Sequence, residues 1–418
     1  MTSYDPRTTR PLVKTLIADK FEEIGVQGLH KAGCEVIYQP GLKDNDLRDA
    51  VAQTGCGILI VRSGKVTEPI MAAGASLNLI VRAGAGFNTI DVAAAARRSI
   101  FVSNCPGKNA VAVAELTFAL ILALDRRIVE NVTDLRAGKW SKKDYSKARG
   151  LKGRTIGILG MGQIGQEVAI RAKAFGMPVV AWSRSLTKEQ AAEWGITACA
   201  SVNEVASRCD ILTVHLAAAP ETKSLVNAAA LNSLRPGSYV INTARADVVD
   251  YAALGKAITE RGLRAGLDVF PNEPAGSDGA FVDTIISACG IVYGTHHIGA
   301  STDQAQNAIA EETVRIVETY MRTGRVENCV NLCVRSPARC LLVVRHRNRP
   351  GVLAHVLGVI RAAGINVEEM ENIIYEGAHA ACARIQLDEA ASDDNLKAIR
   401  LNADVLSVQV TTIARKRP

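Results

Sequence analysis

Short apolar runs, four to six residues long and rich in Val, Ile and Leu, recur along most of this chain with helix-like stretches between them. They fall at 14–19, 57–61, 77–81, 100–103, 155–159, 179–182, 211–214, 239–242, 263–268 and 290–293. A strand apolar on both faces is one covered by helices on both sides of a parallel sheet. The alternation therefore predicts α/β layering with a doubly wound sheet. Segments 91–98, 111–125 and 303–321 read as helices. Asp91 is placed to N-cap the first, and the second is apolar on most sides. In the third, Ile309, Thr313, Ile316, Val317 and Tyr320 repeat at helical spacing. Segment 136–153 is basic and polar and reads as a connection. A length of 418 residues accommodates two or three domains.

The chain changes character at 324–339, a linker broken by Ser336-Pro337. Beyond it the order is strand 340–345, helix 351–363, strands 366–375 and 378–387, helix 392–401 and strand 405–413. This βαββαβ order is the ferredoxin-like arrangement, whose two open sheet edges invite pairing with a second copy.

Several classes fall away. No apolar run approaches the roughly 20 residues that span a bilayer, and the start lacks a signal peptide's charged-then-apolar order. The 10 cysteines form no CxxC pair and no metal-ligand spacing, so a reducing cytoplasm and no metal are expected. The net charge of +7 fits an anionic small ligand better than nucleic acid. Arg335, Arg339, Arg345, Arg347 and Arg349 cluster without interleaved aromatics, which suits a solvated or intersubunit face.

Gly160-Met-Gly162-Gln-Ile-Gly165 follows one apolar run and opens a helix. In that context GxGxxG is a dinucleotide-binding loop. Gly160 allows the turn, Gly162 lets a pyrophosphate approach, and Gly165 lets helix and strand pack closely. The helix N-terminus favours the anion. An NAD-binding fold places an acid near the end of the next strand, for the ribose 2′-hydroxyl. Here that strand ends Ala181-Trp182-Ser183-Arg184, with no acid. Ser183 can donate to a phosphate and Arg184 can pair with one, so the reading leans from NAD towards NADP.

Arg245, Asp268 with Glu273, and a His296-His297 pair each follow a strand candidate, and open α/β sheets bind ligands at strand carboxyl ends. An Arg to clamp a carboxylate, a His to take a proton and a Glu to orient it suit dehydrogenation of a 2-hydroxy acid. Spacing alone does not choose between the two histidines. The Gly84-Ala-Gly86 turn can present backbone amides to an anion. Asn109 opens a helix, as a substrate contact or as its cap.

Five segments together resemble the D-2-hydroxyacid dehydrogenases: Val81-Arg-Ala-Gly-Ala-Gly-Phe-Asn-Thr-Ile-Asp91, 160–165, Ile241-Asn-Thr-Ala-Arg245, Leu267-Asp-Val-Phe-Pro-Asn-Glu-Pro274 and His297-Ile-Gly-Ala-Ser-Thr302. The tail is similar to an ACT domain, as in the long phosphoglycerate dehydrogenases of that family. The resemblance implies a flavodoxin-like substrate domain over 11–108 and 299–330, a Rossmann-like domain over 109–298 and an ACT domain over 338–418. It implies that Arg245 holds the substrate carboxylate, that His297 rather than His296 is the acid/base, and that Glu273 pairs with it. Gly160, Gly162, Gln163, Ile164, Gly165, Ser183, Arg184 and Asp268 would face the cofactor, with Asp268 on the nicotinamide side. Arg62, Ser63, Gly84, Gly86 and Asn109 would face the substrate. His346, Asn348 and Asn366 would bind an effector, L-serine, at a domain–domain interface of a homodimer or homotetramer. The implied reaction is oxidation of D-3-phosphoglycerate with NAD or NADP. The rivals are an NADPH-dependent glyoxylate or hydroxypyruvate reductase and a dinucleotide-sensing corepressor scaffold.

Overall fold

Five parallel strands form the first sheet: β1 (Val13–Ile17), β2 (Cys34–Tyr38), β3 (Ile58–Val61), β4 (Leu79–Arg82) and β5 (Phe101–Asn104), in the order β2-β1-β3-β4-β5. The computed structural model describes residues 12–274, 279–288, 291–333 and 336–413, so Arg335 and the leader before residue 12 lie outside the described residues. Strand β2 carries no continuous apolar run, because it sits at the sheet edge with only Cys34 fully buried. The alternation in the sequence does not reveal it for that reason.

Seven parallel strands form the second sheet: β6 (Ile156–Leu159), β7 (Val179–Trp182), β8 (Thr197–Ala198), β9 (Ile211–Val214), β10 (Tyr239–Asn242), β11 (Arg264–Leu267) and β12 (Val292–Gly294). Their order is β12-β11-β10-β9-β6-β7-β8. The winding reverses between β6 and β9, which opens a crevice beyond their carboxyl ends. The expected connection 136–153 is partly helical, with a short helix at Lys142–Tyr145 after another at Ile128–Arg136.

Two helices join the sheets. Ala110–Arg126 leaves the first sheet and packs its Ala114, Leu120, Ile121 and Leu124 onto the second. Asp303–Thr323 returns, burying Ile309, Ala310, Ile316 and Val317 with Ile17, Ile58 and Ile60 of the first sheet. Glu312 on the returning helix is buried and ties both crossings together. It accepts from Arg315 at 2.6 and 2.9 Å and from Asn328 at 2.8 Å, and pairs with Lys108 at 3.3 Å, just before the outgoing helix. Those cations, Arg315 foremost, outweigh burial and hold its pKa down at about 2.

All of this lies in one unit, Met1–Asn331; Leu332–Pro418 forms a second. The second is an antiparallel sheet of β13 (Cys340–Arg347), β14 (Val367–Ile374), β15 (Ala380–Leu387) and β16 (Val405–Thr412), with helices Val352–Ala362 and Asp393–Arg400. The order β14-β15-β13-β16 is ferredoxin-like. Among the described residues, no helix is long and apolar enough to cross a membrane and no cluster could hold a metal ion.

Candidate active site

The glycine loop turns at the reversal point. Gly160 has φ +97°, and a β-carbon there would run into the His215 carbonyl at the end of β9. A β-carbon on Gly165 would collide with the Gly160 carbonyl, so helix Gln163–Ala174 could not pack this closely on β6 with any other residue. Gly162 is different: nothing lies within 4 Å of where its β-carbon would stand. The loop is thus tight on its protein side and open at the helix N-terminus, which fits a pyrophosphate. Ile164 is partly buried against the core, and the Gln163 side chain lies over Gly107, reaching the segment that carries Asn109. Ser183 and Arg184 stand at the carboxyl end of β7. The Arg184 guanidinium is not free there, because it pairs with Glu221 at 2.9 Å.

Across the crevice, His297 and Glu273 meet. His297 Nδ1 lies 2.7 Å from Glu273 Oε2, and the Phe270 amide donates to Glu273 Oε1 at 2.8 Å. With Nδ1–H turned to the carboxylate, Nε2 is left to exchange a proton with a ligand. Burial works against the Glu273 charge, but His297, the Phe270 amide and Arg245 outweigh it and lower its pKa. His296 has no bond to Glu273; the pair uses His297.

His297 has φ +53°, the left-handed region, where a non-glycine residue costs roughly 1 kcal/mol. Asp268 holds that conformation. Its Oδ1 accepts from Thr295 Oγ1 at 2.7 Å and the Ile298 amide at 2.8 Å, and its Oδ2 from the Gly299 amide at 2.9 Å. Asp268 is 1% exposed and braces the histidine loop from beneath.

Arg245 follows β10, its backbone carbonyl tied to Asn242 Nδ2 at 2.9 Å. Its guanidinium lies against Gly86, where a β-carbon would displace it. Burial lowers its pKa, opposed by Glu273. The Gly84 amide donates to the Arg82 carbonyl at 2.8 Å; among the described residues only the Ala85 and Gly86 amides of that turn lack an internal acceptor. Asn109 makes no capping bond, and its Oδ1 is buried without a partner, so the cap reading gives way.

Two residues here escape a reading of the sequence. Arg82 ends β4 beneath the Gly84 turn, with its Nε buried and unpartnered. Burial, then the charges of Arg245 and Arg62, lower its pKa to about 10. The guanidinium groups of Arg82, from the first sheet, and Arg245, from the second, thus both reach the Gly84–Gly86 turn. The signal was an arginine closing an otherwise apolar strand. Asp19, after β1, collects the amides of Arg62, Ser63 and Gly64 at 2.7, 3.0 and 3.0 Å and the Ser63 hydroxyl at 3.2 Å. It sets the turn that carries Arg62.

The three candidate effector residues do not converge within the second unit. Arg347 pairs with Ala380 and Val367 with Leu387, so Asn348 and Asn366 stand at opposite ends of β15. Seven strand steps put them about 24 Å apart. His346 is buried, bonded to the Arg347 carbonyl at 2.8 Å and to Asn372 Oδ1 at 3.2 Å. Of the expected arginine cluster, Arg347 and Arg349 both pair with Asp404.

Residues 118–299 match the family described as D-isomer specific 2-hydroxyacid dehydrogenase, NAD binding domain. The chain is 32% identical over 378 residues to D-3-phosphoglycerate dehydrogenase of Methanocaldococcus jannaschii, covering 90% of this chain and 67% of that protein. It is 36% identical over 306 residues to the rat protein of the same name, covering 72% and 55%. The chain thus spans between just over half and two thirds of the length of these relatives. Among solved structures, NAD-bound 3-phosphoglycerate dehydrogenase from Entamoeba histolytica superposes with a TM-score of 0.65 at 27% identity, covering 78% of this chain and 100% of that one. An NADPH-dependent glyoxylate/hydroxypyruvate reductase from Sinorhizobium meliloti does so at 0.65 and 28%, covering 77% and 97%.

Proposed function

Because the chain belongs to the D-2-hydroxyacid dehydrogenases, we propose that it oxidises D-3-phosphoglycerate to 3-phosphohydroxypyruvate, the first step of serine biosynthesis, with a nicotinamide cofactor at Gly160–Gly165. The observation that carries the substrate is the meeting of the Arg82 and Arg245 guanidinium groups at the Gly84–Gly86 turn, with Arg62 at the end of the neighbouring strand β3. A simple 2-hydroxy acid brings one carboxylate and needs one fork. Two further cations, one buried with an unpartnered Nε, call for a second and stronger anionic group.

In this reading Arg245 holds the substrate carboxylate over Gly86, and Arg62 and Arg82 face the phosphate. Asn109 contacts the substrate through its unpartnered Oδ1. His297 Nε2 takes the 2-hydroxyl proton during oxidation and returns it during reduction. Glu273 fixes the ring through Nδ1 and stabilises the imidazolium. A bound nicotinamide supplies the hydride acceptor. Gly162, Gln163 and Ile164 frame its pyrophosphate, and Ser183 and Arg184 lie towards its adenosine ribose.

The C-terminal unit, in the same reading, is an ACT-type sensor for an amino acid, L-serine first. The distance between Asn348 and Asn366 means that one ligand touching both needs two copies, which supports a homodimer or higher homo-oligomer.

Comparing kcat/KM for 3-phosphoglycerate with that for unphosphorylated D-glycerate tests the reading. A preference of about a hundredfold is expected for two lost charge-assisted contacts. Equal values would overturn it in favour of the glyoxylate or hydroxypyruvate reductase, the rival that the sequence Ser183-Arg184 taken alone favours.

A further inference from the structure

We infer that Glu221 decides between the two nicotinamide cofactors, by occupying the arginine that would otherwise hold the 2′-phosphate of NADP. The inference rests on the cofactor site proposed above and concerns its selectivity. The end of β7 is where a dinucleotide-binding fold reads the ribose 2′ position. The residues there, Ser183 and Arg184, carry no acid, so taken alone they welcome a phosphate. The fold returns an acid to the spot from elsewhere. Glu221, 37 residues further on, brings its Oε1 within 2.9 Å of Arg184 Nη1.

The carboxylate is presented by a braced element. Glu221 is the middle residue of the 3₁₀ turn Pro220–Thr222. Buried Thr222 locks that turn, its Oγ1 lying 2.7 Å from the Ala217 carbonyl and accepting from the Ala219 amide at 2.9 Å. Both members of the pair remain open to solvent, Arg184 at 71% and Glu221 at 54%, so a ligand can reach them. The exposed pair contributes little to stability. Its consequence is for binding. A 2′-phosphate must displace Glu221 from the guanidinium and then remain beside a like charge, whereas a 2′-hydroxyl meets neither demand and finds an acceptor. Such a pair acts as a removable block against one cofactor.

The test titrates the whole chain with NADH and NADPH by fluorescence, and compares wild type with Glu221→Gln. Wild type should bind NADH more tightly. Glu221→Gln should raise the ratio of NADPH to NADH affinity about tenfold, and the gain should shrink in high salt. Adding Arg184→Ala to that variant should cancel it. A matching shift in the ratio of kcat/KM values should accompany the binding change. A wild type that prefers NADPH, or a ratio that stays within twofold in Glu221→Gln, would overturn the inference while leaving the dehydrogenase reading intact. Failure to bind either nucleotide would instead overturn the cofactor site itself, and the inference with it.

Discussion

The two units of this chain place polar side chains in opposite ways. In the first, residues 62, 82, 245, 273 and 297 are scattered over more than half of the sequence, yet they line one crevice. In the second, Asn348 and Asn366 are 18 positions apart, yet they occupy opposite ends of a sheet. The cause is strand direction. Parallel strands put every carboxyl end, and every loop that follows one, along the same edge. The antiparallel sheet divides its loops between two edges. A parallel sheet thus gathers its loops at one edge, whereas this antiparallel one separates Asn348 from Asn366, and the proposed effector site draws on both only if two copies combine.

The sharpest challenge to the first half of that contrast is His297→Asn. If convergence has built a catalytic pair, kcat should fall about a thousandfold with little change in KM, measured at saturating cofactor. Near-normal turnover would reduce the His297–Glu273 pair to a structural bond.

Next comes the joint at Glu312, which keeps the converging halves in register. Its folded pKa of about 2 lies below the ordinary 4.5, so its stabilisation is complete above pH 4.5 and drains away as pH falls towards 2. The full amount is roughly 3 kcal/mol. Trp140, Trp182 and Trp194 all lie in the first unit, so tryptophan fluorescence reports on that unit alone. Its melting temperature should drop between pH 4.5 and 2 in wild type and should change much less in Glu312→Gln, which starts lower. Parallel acid profiles would sink the idea.

Arg82→Met probes the phosphate side. It should cost about thirtyfold in kcat/KM for 3-phosphoglycerate and less than threefold for unphosphorylated hydroxypyruvate. Equal losses on both would mean that Arg82 supports the fold rather than the ligand.

The smallest effect tests the second half of the contrast. Asn348→Ala and Asn366→Ala should each abolish L-serine binding. Mixing and reassembling the two variants should restore a minority of sites, readable by calorimetry, because some interfaces then combine two unaltered residues. No recovery would count against a site shared between copies.

Much of this molecule was readable beforehand. Strands β7, β9 and β10 fall where their unbroken apolar runs end, because they are central and buried on both faces. The glycine loop was readable because its neighbours are a strand and a helix. What escaped was whatever depends on distant segments meeting. Edge strand β2 lacks a pattern because it lacks a second covered face. Asp19 and Arg62 are 43 residues apart, and nothing local marks one as the seat of the other. Nothing local marks Asp268 as the brace of a loop some 30 residues further on, which its carboxylate holds through the Ile298 and Gly299 amides. Arg184 looked available because its partner comes from another strand's loop.

The double crossing between the two sheets also has a mechanical meaning. One connecting segment would let the lobes swivel freely about a point. Helices Ala110–Arg126 and Asp303–Thr323 pass between them side by side, and Glu312 fastens the second to the approach of the first through Lys108. Two fixed points define a line, so the remaining easy motion is rotation about that line. Rotation about that line moves Arg62 and Arg82, at strand ends of the first sheet, relative to Arg245 and His297, after strands of the second, along one arc.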